Sequence, residues 1–162
     1  MSTLVTATRL EDAVRRGRAW RLSINALDPT GADDIFAYIK STGPLDLEIY
    51  GMELSTTVAG NVEPQRVTGT ASGGTKATTA LASLGDASAK PLADVETGVD
   101  ITGLTSVFSL GHYYLAADTA RLIVFPGGIR IPQSNAVGFN HEVATGILSG
   151  SITFFEVTPE DN

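Results

Sequence analysis

Apolar and polar residues alternate with a period of two along stretch after stretch of this chain, and each stretch ends at a Gly, Pro, Asn or Asp signal. Trp20, Leu22 and Ile24 alternate with Arg21, Ser23 and Asn25. In Leu45-Asp46-Leu47-Glu48-Ile49, three aliphatic residues fall on one face and two acids on the other. Successive side chains of a strand point to opposite faces, so this pattern buries one face of a sheet and leaves the other polar. Gly51 shifts the phase before Met52 and Leu54, which predicts a bulge. Further strands are read over Ile35–Ile39, Val99–Leu110, Tyr113–Leu115, Ala120–Phe125, Gly128–Ile131, Ala136–Asn140 and Ser149–Val157. Turns are read at Asp28-Pro29-Thr30-Gly31, Ser41-Thr42-Gly43-Pro44 and Pro126-Gly127-Gly128. Many short strands with frequent turns indicate an all-β sandwich or jelly roll. No fixed-period repeat argues for a propeller or solenoid.

One short helix precedes the strands. Thr8 and Glu11 have the spacing of a capping box, Leu10, Ala13 and Val14 share a face, and Gly17 is a natural stop. About two turns of helix cannot persist alone in water, so this one lies on its own domain or on a neighbour. The expected organisation is an N-terminal arm over 1–18 and a single β-sandwich over 19–162. A Gly/Ser/Thr-rich insert around 55–98 is expected to hold one or two weak strands and to face outward or a partner.

A chain of 162 residues suits one domain, which at this size buries roughly 70% of its unfolded surface. There are no cysteines, which excludes disulfides and thiolate metal sites. The formal charge of −7 runs against nucleic-acid binding, which needs basic surface to replace counterions. Apolar runs fall far short of the ~20 residues that span a bilayer, so no membrane partner is expected. The first residues lack the basic start and apolar stretch of a secretory signal, and synthesis in a cytoplasm is expected. Arg9, Arg15, Arg16, Arg18 and Arg21 crowd the start, while acids dominate the middle. Such asymmetry suits docking on a complementary surface, and it also arises by chance in an acidic protein.

Motifs that carry chemistry are incomplete. The two histidines, His112 and His141, lie on different strands and could meet, with Glu142 adding a carboxylate, but the histidine pairs of a cupin metal site are missing. Asp28, Asp33 and Asp34 bracket a turn without completing a calcium loop, and turn formation accounts for them. Gly69–Lys76 resembles a phosphate loop, yet Thr75 separates the last glycine from the lysine and Ala77 follows it. Ser149 lacks the Gly-x-Ser-x-Gly elbow and a base nearby in sequence. A glycosidase carboxylate pair would meet only in the fold, and aromatics at 7% leave little for a sugar-stacking cleft. No catalytic, cofactor or metal residue is assigned.

The order of elements carries a resemblance. A short helix ends in Arg16-Gly17-Arg18-Ala19-Trp20 and runs into the first strand, and a Gly/Thr-rich middle follows. Then come Leu122-Ile123-Val124-Phe125-Pro126-Gly127-Gly128, a strand through Val137-Gly138-Phe139, and the closing Gly150-Ser151-Ile152-Thr153-Phe154-Phe155-Glu156-Val157. This order resembles that of the small jelly-roll structural proteins of tailed-phage virions. The resemblance implies a jelly-roll-like β-sandwich that self-associates as a homotrimer and attaches to the major capsid protein or another virion protein. The expected place is the capsid surface, where a head-decoration or cement protein bridges shell subunits without a cofactor. A tail, baseplate or fibre module that binds a receptor or glycan through residues around Ser72–Lys90 is the alternative, and a cupin-like enzyme a more distant one.

Candidate partner contacts follow. Arg9, Arg15, Arg16 and Arg18 could dock the helix on an acidic surface, or the helix could cap its own sandwich. Tyr113-Tyr114 and Phe154-Phe155 each place one ring on either face of a strand, one for the core and one for an interface. Tyr113 and Phe155 are the interface candidates.

Overall fold

The computed structural model describes residues 3–78, 81–85 and 90–158, with backbone alone for 3–6. Helix α1 (Thr3–Arg15) leads into twelve strands: β1 (Ala19–Leu27), β2 (Ile35–Ser41), β3 (Asp46–Thr56), β4 (Gly60–Ser72), β5 (Thr75–Lys76), β6 (Leu81–Ser83), β7 (Ala93–Thr97), β8 (Thr102–Ser109), β9 (Tyr113–Leu115), β10 (Arg121–Ile131), β11 (Ala136–His141) and β12 (Leu148–Val157). One sheet runs β10-β3-β12-β1-β6; the other runs β5-β7-β2-β11-β4-β8, with β9 also on β4. β1 pairs with β12, β2 with β11, β3 with β10 and β4 with β8, all antiparallel. That nesting of first with last is a long antiparallel ribbon rolled upon itself, the jelly roll the strand pattern predicts.

The core lies between the sheets. Trp20, Leu22, Leu47, Ile49, Met52, Leu54 and Ile152 from one sheet meet Phe36, Ile39, Val62, Val137 and Phe139 from the other. The phase change at Gly51 is a bulge: Thr153 pairs with Gly51 but Phe154 with Ile49, so Tyr50 is the extra residue.

Three expectations need correction. The helix begins at Thr3, so Thr8 sits inside it and does not cap it; tertiary packing overrides a local cap signal. Gly17 does end the helix region, with φ 68°. Pro126-Gly127-Gly128 does not separate two strands: it is a bulge inside β10, where the pairing with β3 shifts between Val124 and Ile129. The insert is shorter than 55–98. Residues 60–72 form β4, which pairs with β11, β8 and β9 inside its sheet. The true excursion crosses to the far side of the sandwich, where β6 extends one sheet beyond β1 and β7 extends the other beyond β2.

The helix covers the outer face of the β10-β3-β12-β1 sheet. Ala13 is buried with Ala19, Phe155 and Val157, flanked by Leu10, Val14, Tyr50 and Leu84. Arg9 crosses the same interface to Glu48 on β3, at 2.9 Å. Glu48 faces outward from the core, as the alternation requires, yet is only 1% exposed. The bulge in β10 makes room for it: Gly128 has φ +72°, and a Cβ there would collide with the Glu48 carboxylate. Gly128→Ala is therefore expected to lower the unfolding free energy by about 1–3 kcal/mol, read as a shift of the urea midpoint with unchanged slope.

Candidate functional site

Among the described residues, one group of three potential metal ligands comes together: Glu63, His112 and Glu142, whose ligand atoms all lie within 4.8 Å of one another. Three chain segments build it. β4 pairs with β11 so that Glu63 stands opposite Asn140 and Val62 opposite His141. Val62 and Phe139 point into the core; Glu63 and Asn140 therefore project from the sheet's outer face. Gln65 pairs with Ser109 on β8 and Val62 with Tyr113 on β9, which sets the connecting turn and His112 beside Glu63. Glu142 follows β11 directly, fixed by its N–H donating to the Asn61 carbonyl at 3.0 Å.

His112 sits between the two carboxylates. Its Nδ1 is bonded to Glu142, and its Nε2 lies 3.8 Å from Glu63. Amides hold the carboxylates in place: Asn61 donates to Glu142 at 2.7 Å, Gln65 to Glu63 at 2.6 Å and Asn140 to Glu63 at 3.3 Å. The bond to Glu142 raises the His112 pKa above the usual imidazole range, with a smaller Coulombic contribution from Glu63. Burial pushes the Glu63 carboxyl up, but hydrogen bonds from Ser109, Gln65 and Asn140, with the nearby His112, outweigh it and hold it below its ordinary value.

The two histidines do not meet at a common site. His141 points between the sheets, fully buried, and neither ring nitrogen has a hydrogen-bond partner among the described residues. Burial lowers its pKa, partly opposed by Glu142, so the ring is held neutral. Asp28, Asp33 and Asp34 also diverge in role. Asp34 accepts from Gly31 N–H and Thr30 Oγ1, Asp33 adopts φ 66°, and Asp28 accepts from Gly146 N–H. Gly69–Lys76 runs through the end of β4 into β5, and the next described element is the strand β6, not a helix that would receive a phosphate. Ser149 accepts from the Ala26 N–H, a structural bond.

The partner-contact candidates separate. Arg9 and Phe155 are spent beneath and within the helix–sheet contact, so neither side chain is open to a partner. Arg18 is partly buried and donates to the Glu156 carbonyl at 3.2 Å. Arg15 and Arg16 are exposed, and Arg16 pairs with Asp12 one turn back at 2.9 Å. Tyr113 turns inward, edge-on to Phe125 with centroids 5.2 Å apart, and its neighbour Tyr114 is the exposed ring. The suggested recognition segment, Ser72–Lys90, is described only in part: residues 79–80 and 86–89 lie outside the described residues.

Sequence reasoning missed Glu63 as a site residue. Asn61, Glu63 and Gln65 show the period-two polarity of a strand's outer face, but a segment read as an insert offered no sheet on which to place them. No family model, curated protein or solved structure matches this chain.

Two substitutions separate the roles of adjacent residues. His141→Leu removes unpartnered buried nitrogens and is expected to leave stability at neutral pH unchanged or higher. Asn140→Leu takes a donor from Glu63 and is expected to cost about 1–3 kcal/mol, with urea midpoints checking both.

Proposed function

We propose that this chain is a structural protein that works by assembly: a head-decoration protein of a tailed phage, trimeric, docking on the major capsid protein. The observation that carries the reading is the side of the jelly roll where β8, β9 and β10 form the sheet edges. Four of the eight large hydrophobic residues exposed among the described residues are there: Val107, Phe108, Tyr114 and Leu122. The Tyr113–Phe125 ring contact and the Arg121 bond to the Tyr114 carbonyl join the two edges on that side. β8 itself, Thr-Gly-Leu-Thr-Ser-Val-Phe-Ser, carries no charge, and all of it but Leu104 is exposed. Unpaired backbone on a long uncharged edge invites another chain, and natural proteins either blunt such edges or cover them. Exposed aromatic residues are also favoured interface anchors.

The packing of α1 on its own sheet changes the mode of docking. The helix is part of the domain, not a loose arm, which leaves the β8–β10 side and the loops as the contact surfaces. Several modest contacts made by one trimer add up when copies bind together. The role requires neither a cofactor nor a catalytic group.

Size-exclusion chromatography with light scattering on the full chain is expected to give a trimer, and the trimer to co-sediment with empty shells of its virus. Phe108→Glu and Leu122→Glu are expected to yield monomers of nearly unchanged melting temperature, because both side chains are already exposed. A monomer that fails to bind shells contradicts the proposal.

A further inference from the structure

The cluster on the outer face of the β4 sheet also has the composition of a cation site. We propose that Glu63, His112 and Glu142 bind a divalent transition cation of the zinc class. Two carboxylates supply the charge that balances such an ion, and one imidazole supplies the nitrogen donor that favours a transition metal over calcium or magnesium. The three ligand atoms all lie within 4.8 Å of one another, so an ion placed centrally among them sits no more than about 2.8 Å from each. Closing to the ~2.0–2.2 Å of zinc–oxygen and zinc–nitrogen bonds takes less than an ångström of movement per ligand. Side chains can supply it: His112 is 56% and Glu142 25% exposed, and only Glu63 is held tightly, at 10%.

A second observation points to a cation. Asn140 is 1% exposed, and its amide nitrogen reaches Glu63, while its Oδ1 is buried with no donor among the described residues. Buried acceptors are nearly always satisfied, and leaving one unmet costs ~1–3 kcal/mol. The residue whose amide holds Glu63 thus carries a buried, unmet oxygen, and water bound to a cation at the cluster would supply the donor it lacks. The surrounding amides of Asn61, Gln65 and Asn140 already orient the carboxylates, as the outer partners of metal ligands do.

The ligands come from β4, the β8–β9 turn and the end of β11. The ion therefore fastens the edge of the sheet to its interior strands, and its solvent side stays open for water or a donor from a docked partner.

The test uses untagged full-length protein freed of metal by chelation, titrated calorimetrically with zinc chloride and, separately, manganese chloride. Saturable one-to-one binding is expected for at least zinc, with a rise in melting temperature that EDTA reverses. His112→Ala and Glu142→Gln are each expected to weaken binding at least tenfold. Both positions are partly exposed, and circular dichroism confirms that the variants fold. Asp94→Asn, on the far β7 strand, is expected to bind like the parent. The absence of saturable binding by either metal overturns the proposal, as does binding that survives unchanged in both ligand variants.

Discussion

One buried carboxylate organises the outer half of this molecule. Glu48 leaves the core-facing row of β3, as the alternation demands, but helix α1 covers it, and it meets Arg9 at 2.9 Å and Arg130 at 3.9 Å. A buried charge without a partner is costly, and breaking such a pair from one side costs ~3–5 kcal/mol. Its demands therefore reach several elements together. The helix must lie where Arg9 can reach, β10 must bulge at Gly127 and Gly128, and Arg130 must follow on the same strand. The helix in turn shields Phe155 and Val157, which would otherwise stand apolar on an open sheet face.

Function is constrained by the same arrangement. With one outer face capped by its own helix, and one side of the sandwich extended by β6 and β7, the uncapped apolar edges gather on the β8–β10 side. The polar cluster of Glu63, His112 and Glu142 sits on the opposite sheet, near the same β8–β9 edge. The proposed assembly role places its contacts on this surface, apolar along one strand with ionisable groups beside it.

Much of the fold was legible because burial in a sandwich writes itself into the sequence as period-two alternation. β1, β3 and β12 are clear for that reason, as is the bulge after Ile49. Other elements obey rules that alternation does not report. β4 carries Pro64 and Gly69 and shows polar residues on its outer face, so it reads as a loop although it pairs on both sides. Pro126-Gly127-Gly128 reads as a turn because its glycines adopt positive φ, yet here that freedom accommodates Glu48 instead of reversing the chain. Glu48 itself reads as a solvated acid, since nothing local says that a helix lies over it. The site was legible only in fragments. His112 and Glu142 stood out as residue types, but their meeting with Glu63 depends on strand register across more than seventy residues of chain, and His141, equally conspicuous, points into the core.

The central claim is that the helix belongs to the domain and is locked there by a buried ion pair. A double-mutant cycle measures that directly, with Arg9→Met, Glu48→Met and the double variant unfolded in urea. The account predicts that each single change costs ~3–5 kcal/mol and that the double variant costs clearly less than their sum, because it leaves neither Arg9 nor Glu48 buried without the other. Single changes within ~0.5 kcal/mol of the parent, or strictly additive costs, would contradict it and free the helix to act as an arm.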